Sequence, residues 1–345
     1  MEITRELLLS YPKTDLHCHL DGSLRMSTIL ELAKEYDIEL PAMDEEKLKH
    51  LLLCGRNVSS LNEYLKAFDI TLKVLQEKDS LARAAYELAE DAAKENVKYL
   101  EVRFSPILHT KNKLRYSEII LSILEGLEKA QREYDITTGI IICAMRDKPA
   151  IESKVLAELC VAYKNRGIVG FDLAGAEIDN PAKHHLEAFY LVLNNNINCT
   201  VHAGEAYGPS SISQAIHYCG AHRIGHGTRL IEDGNLFNYV NDHRIPLEVC
   251  LTSNLQTHTV ASLQHHPFRL YLDYHLRVTL NTDNRLMSNT TATDELLLAA
   301  KEYDLNLDEI KDIIIQGFKS AFLPYREKVR LLKQALKAID RQFLR

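Results

Sequence analysis

Eight short runs rich in β-branched and apolar residues recur along this chain, each separated from the next by a longer stretch at helical spacing. They cover residues 13–17, 99–105, 137–145, 168–174, 199–203, 223–226, 246–252 and 277–283. The intervening segments are rich in Ala, Leu, Glu and Lys. In the clearest of them, 80–96, Leu81, Ala84, Ala85, Leu88 and Ala92 form one apolar stripe. Strand and helix in alternation imply a parallel sheet, because each parallel connection must carry the chain back across the sheet. Eight such strands, several apolar on both faces, predict an α/β fold closed as a (β/α)8 TIM barrel rather than an open sheet.

One connection is far longer than the rest. Residues 22–98 hold no convincing strand and several helical patterns, among them 45–53 and 61–76. A helical insertion after the first strand would sit over the C-terminal mouth of the barrel, the face where such folds carry their active sites, and could act as a lid. Nothing resembles an internal repeat or a Pro/Ser-rich linker, so residues 1–345 are expected to be a single barrel domain.

Composition narrows the partners. With 41 Lys and Arg against 48 Asp and Glu the net charge is −7, and no block of five basic residues occurs. A nucleic-acid grip needs concentrated positive charge, so the substrate is expected to be a small molecule. No apolar run is long enough to span a membrane, and the first residues have no signal-peptide pattern. The 7 cysteines are Cys18, Cys54, Cys143, Cys160, Cys199, Cys219 and Cys250, scattered singly with no C-x-x-C pair. That argues against a disulfide framework or a structural zinc and for a reduced, cytoplasmic enzyme.

Ionisable residues collect at the predicted strand ends. The first strand closes on Asp15-Leu16-His17-Cys18-His19. Side chains alternate along a strand, so His17 and His19 share a face and Cys18 points away from it. Alone, a His-x-His pair is equally well two packed histidines. Strand five, however, ends in His202-Ala203-Gly204-Glu205, strand six in Gly225-His226-Gly227 and strand eight in Asn281-Thr282-Asp283-Asn284. Together these groups meet at one rim, and three histidines with an aspartate suit zinc with a position left open for water. Bound zinc brings the pKa of water to about 7. His226 would hold or deprotonate that water, while Glu205, in the loop after its strand, is free to handle a proton on the substrate. As a plain structural residue, Glu205 would be a helix-start carboxylate.

At these residues the chain resembles the adenosine deaminases. The resemblance is carried by Thr14-Asp15-Leu16-His17-Cys18-His19-Leu20-Asp21-Gly22-Ser23-Leu24-Arg25, Glu101-Val102-Arg103-Phe104-Ser105-Pro106, Gly170-Phe171-Asp172-Leu173-Ala174-Gly175, His202-Ala203-Gly204-Glu205, Arg223-Ile224-Gly225-His226-Gly227 and Asn281-Thr282-Asp283. It runs in family order from residue 14 to about 290. It implies one zinc per chain held by His17, His19, His202 and Asp283, with Glu205 protonating purine N1. It further implies that His226 and Asp283 orient and activate the nucleophile, that the Gly175 backbone contacts N3, and that Asp21 and His19 face the ribose. Asn284 and Arg285 depart from the pattern, standing where animal members carry Asp and Pro. Asn284 is expected beside purine N7, where its amide donates at any pH; the pair points to a microbial enzyme.

The nearest alternative is a related purine deaminase acting on adenine, aminofutalosine or methylthioadenosine. Such relatives often carry His-Leu-Glu-Gly where this chain reads His19-Leu20-Asp21-Gly22. The shorter acid leaves room for a ribose and favours adenosine, with 2′-deoxyadenosine also accepted. An AMP deaminase would need a cationic phosphate pocket and usually a long N-terminal extension, which a first strand near Lys13 does not suggest. A two-metal hydrolase would place a modified lysine on strand four, which has none, and the H-x-E…P-C-x-x-C pattern of the base-flipping zinc deaminases is missing. A non-catalytic binding barrel would have lost one of these groups. Elsewhere, Leu61, Tyr64, Leu65 and Phe68 read equally as an apolar gate or as core. His265-His266 reads as a solvated loop, and 328–338 as the last barrel helix.

Overall fold

A parallel strand buried on both faces has nowhere to go but the middle of a layered α/β fold. The computed structural model, which describes residues 3–53 and 67–343, builds that middle as a barrel. Its strands are β1 (Lys13–His19), β2 (Val97–Phe104), β3 (Thr137–Met145), β4 (Ile168–Ala174), β5 (Asn198–Ala203), β6 (Arg223–His226), β7 (Leu247–Val249) and β8 (Val278–Leu280), each parallel to the next in sequence order. The seam between β8 and β1 closes through one bridge, Cys18 to Asp283. There the Asp283 N–H donates to the His17 carbonyl at 2.8 Å and the His19 N–H donates to the Asp283 carbonyl at 2.7 Å.

The helices follow the predicted stripes. Helix Lys78–Lys94 buries Leu81, Ala84, Ala85, Leu88 and Ala92. The insertion forms helix Glu45–Leu52, capped by the Asp44 carboxylate on the Lys47 N–H, and helix Phe68–Val74. Leu61, Tyr64 and Leu65 lie outside the described residues; Phe68 is half-buried at the barrel mouth. The basic C-terminal stretch is part of helix Tyr325–Phe343.

Strand limits differ at several ends, among them the starts of β2 at Val97 and of β5 at Asn198. β1 runs two residues further than expected, to His19. β7 stops at Val249 because residues 251–256 coil into a helix, and β8 stops at Leu280, short of Asp283, whose φ of 59° is left-handed.

The strands are less apolar inside than the sequence suggested. Arg103 on β2 donates to Asp172 on β4 at 3.1 Å and to Glu248 on β7 at 2.9 Å. Arg223 on β6 donates to Glu248 at 2.6 Å and to Glu101 on β2, and lies 3.5 Å over the Phe322 ring. All five charged groups are fully buried. Such a network tolerates no orphan, because removing one partner leaves an uncompensated charge at low dielectric. Arg103→Met should therefore cost about 3–5 kcal/mol of stability, read from the denaturant midpoint of unfolding; an unchanged midpoint would show the network to be dispensable.

Candidate metal centre and active site

The barrel seam sets the site. Pairing of His17 and His19 with Asp283 across it brings both imidazoles to the Asp283 carboxylate, each Nε2 3.4 Å from Oδ1. From β5, His202 Nε2 comes to 3.1 Å from His19 Nε2. His226, at the end of β6, is 4.9 Å from His17 between ring centroids. One donor atom each from His17, His202, His226 and Asp283 lie within 4.8 Å of one another. Both His226 and Asp283 have positive φ, 62° and 59°, backbone strain of the kind that collects at functional sites.

What stands behind the ring distinguishes His17, His202 and His226. His17 turns Nδ1 to Glu248 at 2.9 Å, and its fully buried Nε2 has no hydrogen-bond partner. His202 turns Nδ1 to Asp172 at 3.0 Å. Burial alone would raise both carboxyls, but the Arg103 and Arg223 charges outweigh it for Glu248, and His202 with Arg103 for Asp172, so both stay ionised. An ionised acceptor fixes the proton on Nδ1 and leaves an Nε2 lone pair facing inward, the carboxylate–histidine–metal arrangement. Asp283 accepts from the Ser253 hydroxyl at Oδ2, 2.6 Å, and turns Oδ1 to the Nε2 atoms of His17 and His19. Two ligands of one tetrahedral zinc stand about 3.3 Å apart given ~2.0–2.1 Å bonds; the 3.1 Å between His19 and His202 fits that. The donor atoms that lie together are those of His17, His202, His226 and Asp283, with His19 Nε2 adjoining them at 3.1 Å from His202 and 3.4 Å from Asp283, and this buried cluster could hold a divalent metal.

His226 differs. Its Nδ1 faces the Asn254 side-chain nitrogen at 3.0 Å rather than a carboxylate, and its Nε2 lies 3.5 Å from Glu205. Glu205 is carried on a turn gripped by a second acid: the Glu177 carboxylate accepts the backbone N–H groups of Gly204, Glu205, Ala206 and Tyr207 at 2.6–3.0 Å. Burial, with Asp283 and Glu177 nearby, pushes the Glu205 carboxyl up to about 8, so it is neutral at pH 7. The Thr257 hydroxyl donates to it at 3.1 Å.

His19, His202, Glu205, His226, Thr257 and Asp283 line one cavity of about 360 Å³, within the range of small-molecule sites. Asp21 is buried in its wall with Oδ1 unpartnered, and burial raises its carboxyl to about 7. Asn284 turns its Oδ1 against Gly22, where any larger residue would collide with it. Gly175 opens a backbone edge at φ 96°. Among the described residues the lining carries no Lys or Arg, while Asp21, Asp69 and Asp147 add carboxyls.

His19, Asp21, Gly175, His202, Glu205, His226, Asp283 and Asn284 line the same space, and His17 adjoins it. Several partners went unread: Glu248, Glu177, Ser253, Asn254 and Thr257. Asp172 stood inside a quoted motif without a role. The expectation for His265-His266 needs correction. His265 is exposed, but His266 is buried and reaches Asn254, because the Phe268 N–H anchors its ring inward. Since Asp172 orients His202, Asp172→Asn should weaken divalent-metal affinity about 10–100-fold, measured by competition with a chromogenic chelator; unchanged affinity would remove it from the metal's support.

A family model described as adenosine deaminase matches residues 12–338. A probable adenosine deaminase of Dictyostelium discoideum is 41% identical over 336 residues, covering 97% of this chain and 44% of that protein, so the chain spans less than half of that relative. An adenosine deaminase of Mycobacterium sp. (strain JLS) is 41% identical over 352 residues, 97% of each chain. The crystal structure of the Arabidopsis N6-mAMP deaminase MAPDA is similar with a TM-score of 0.87 at 26% identity, covering 96% of this chain and 99% of that one.

Proposed function

The chain belongs to the adenosine deaminase family, and on that premise we propose that it replaces the 6-amino group of adenosine with oxygen, giving inosine and ammonia. The observation that carries the chemistry is the placement, at one cavity, of the buried Glu205 carboxyl beside His226 and facing the His202, His19 and Asp283 cluster. Zinc, when bound, supplies the Lewis acidity that lets water ionise near pH 7.

The residues divide the work. His17, His19, His202 and Asp283 would hold one zinc per chain. Addition of the water oxygen at C6 would leave negative charge on the ring, so Glu205 delivers a proton to N1 as that bond forms. Asp283 and His226 take up and orient the water. The proton that the water gives up to Asp283 passes to the amino group and breaks the C6–N bond, and the C6 hydroxyl returns a proton to Glu205 as the carbonyl forms and ammonia leaves. Around the purine, the Gly175 backbone meets N3 and the Asn284 amide serves N7, its Oδ1 being turned to Gly22. The unpartnered Asp21 Oδ1 accepts a ribose hydroxyl, with His19 beside it.

A nucleotide substrate such as that of the Arabidopsis neighbour fits less well. A phosphate would meet Asp21, Asp69 or Asp147 and, among the described residues, no lining cation. The domain we propose is one barrel, in keeping with a family match over residues 12–338. A cytoplasmic location is supported by six described cysteines, all buried and unpaired. No helix among the described residues is long and apolar enough to cross a membrane.

Metal-analysed protein offered adenosine, 2′-deoxyadenosine, adenine, AMP and methylthioadenosine, followed by the ultraviolet change as amine becomes oxo, should turn over the two nucleosides and leave adenine and AMP nearly untouched. Rapid turnover of AMP would overturn the nucleoside reading. Activity requires the Glu205 proton, which is present below its pKa and lost above it, so kcat/KM should fall as pH rises through about 8. Glu205→Gln should lower kcat by about 10²–10⁴ with little change in KM. A variant within twofold of wild type, or a profile flat to pH 10, would take the proton transfer away from Glu205.

A further inference from the structure

The hydrogen bonds behind His226 form a directed chain whose polarity is set by a backbone amide. The Phe268 N–H can only donate, and it does so to His266 Nδ1 at 3.1 Å. Burial pushes the His266 imidazole down to about 3, so its ring keeps a single proton. With Nδ1 occupied as acceptor, that proton sits on Nε2, which donates to Asn254 Oδ1 at 3.2 Å. The Thr228 hydroxyl donates to the same oxygen at 3.3 Å. The His266 Nε2–H can only donate, so it fixes which end of the amide is oxygen, and the nitrogen faces His226 Nδ1 at 3.0 Å. Asn254 and Thr228 are buried with these rings, so water does not scramble the order.

We propose that His266 and Asn254 are positioning residues that dictate the tautomer of His226, forcing its proton onto Nε2 so that this ring enters the site as a hydrogen-bond donor. The inference rests on the reading of His226 as a group that handles the attacking water. It separates His226 from His17 and His202, whose far nitrogens face carboxylates and whose near nitrogens are lone pairs. His226 is as close to the cluster as they are, yet it has no lone pair to offer a metal. It also assigns the direction of its bond to the water: His226 gives a proton to that hydrogen bond and holds the oxygen, and the acceptor for the water's own proton is Asp283.

Imidazole ¹⁵N NMR of the zinc-loaded protein labelled at histidine reads the tautomer directly, with His226→Gln identifying the ring. The expected spectrum has Nδ1 bare and Nε2 protonated. Asn254→Asp keeps the shape but replaces the donor by an acceptor, so it should move the proton to Nδ1. It should also lower kcat on the order of tenfold or more, with zinc content and KM near wild type. A wild-type ring protonated on Nδ1 overturns the proposal. So does an Asn254→Asp ring that keeps its proton on Nε2, or one that switches tautomer with kcat unchanged. Should Asn254→Asp fail to fold, the wild-type spectrum decides by itself. The spectrum needs no substrate, so a failure to deaminate adenosine would be recognised separately from a failure of this chain of bonds.

Discussion

A single buried carboxylate, Glu248, joins the core to the chemistry. From β7 it reaches Arg103 on β2, Thr200 on β5, Arg223 on β6 and His17 on β1. Desolvation by itself would neutralise such a group, and two guanidinium partners prevent it. Its ionisation is what allows His17 to donate from Nδ1 and to present a bare Nε2. The charge needed at the site is thus maintained by arginines that never touch it, and the ion network inside the barrel serves orientation more than stability. A hydrophobic replacement of similar volume could pack as well, but it would leave the His17 tautomer undirected.

The sequence made the frame legible because the frame obeys simple periodicities. Strands alternate with helices at lengths that only a parallel barrel accommodates, and His17 with His19 follows from the two-residue repeat of a strand. The interior network escaped because Arg103, Arg223 and Glu248 contradict the rule that charge stays outside; their partners lie up to 145 residues away in sequence. The helix at 251–256 escaped for a different reason. Residues 246–252 have strand composition, and only the tertiary bonds of Ser253 and Asn254 favour the turn. His266 looked like half of a solvated pair, since nothing local says that one of two adjacent histidines is drawn in by the backbone at residue 268.

The four histidines show how little residue type determines role. All are buried or nearly so within one cluster, and burial depresses the charged form of His19, His202 and His226 alike. What separates His226 from His17 and His202 is the group on the far nitrogen. A carboxylate there makes the near nitrogen a lone pair, and an amide nitrogen there makes it a donor. A barrel is well suited to this arrangement, because each strand end brings its own neighbour from the adjacent strand or loop, and the neighbours can be chosen one at a time.

Asp283 carries the argument to its end. Its backbone N–H and carbonyl close the barrel against β1, while its side chain meets His17 and His19 and is steadied by Ser253. To do both it adopts a left-handed backbone, which for a residue with a Cβ is costly and is held only because the seam on one side and the imidazoles on the other determine it twice over. The last closure of the fold and the assembly of the site are the same event. A chain that failed to close at Cys18 and Asp283 would lose at once a strand pairing, a carboxylate and the mutual approach of His19 and His202. This accounts for the strain lying here: it is the point where the topology of the sheet and the geometry of a four-donor site must be satisfied by one residue.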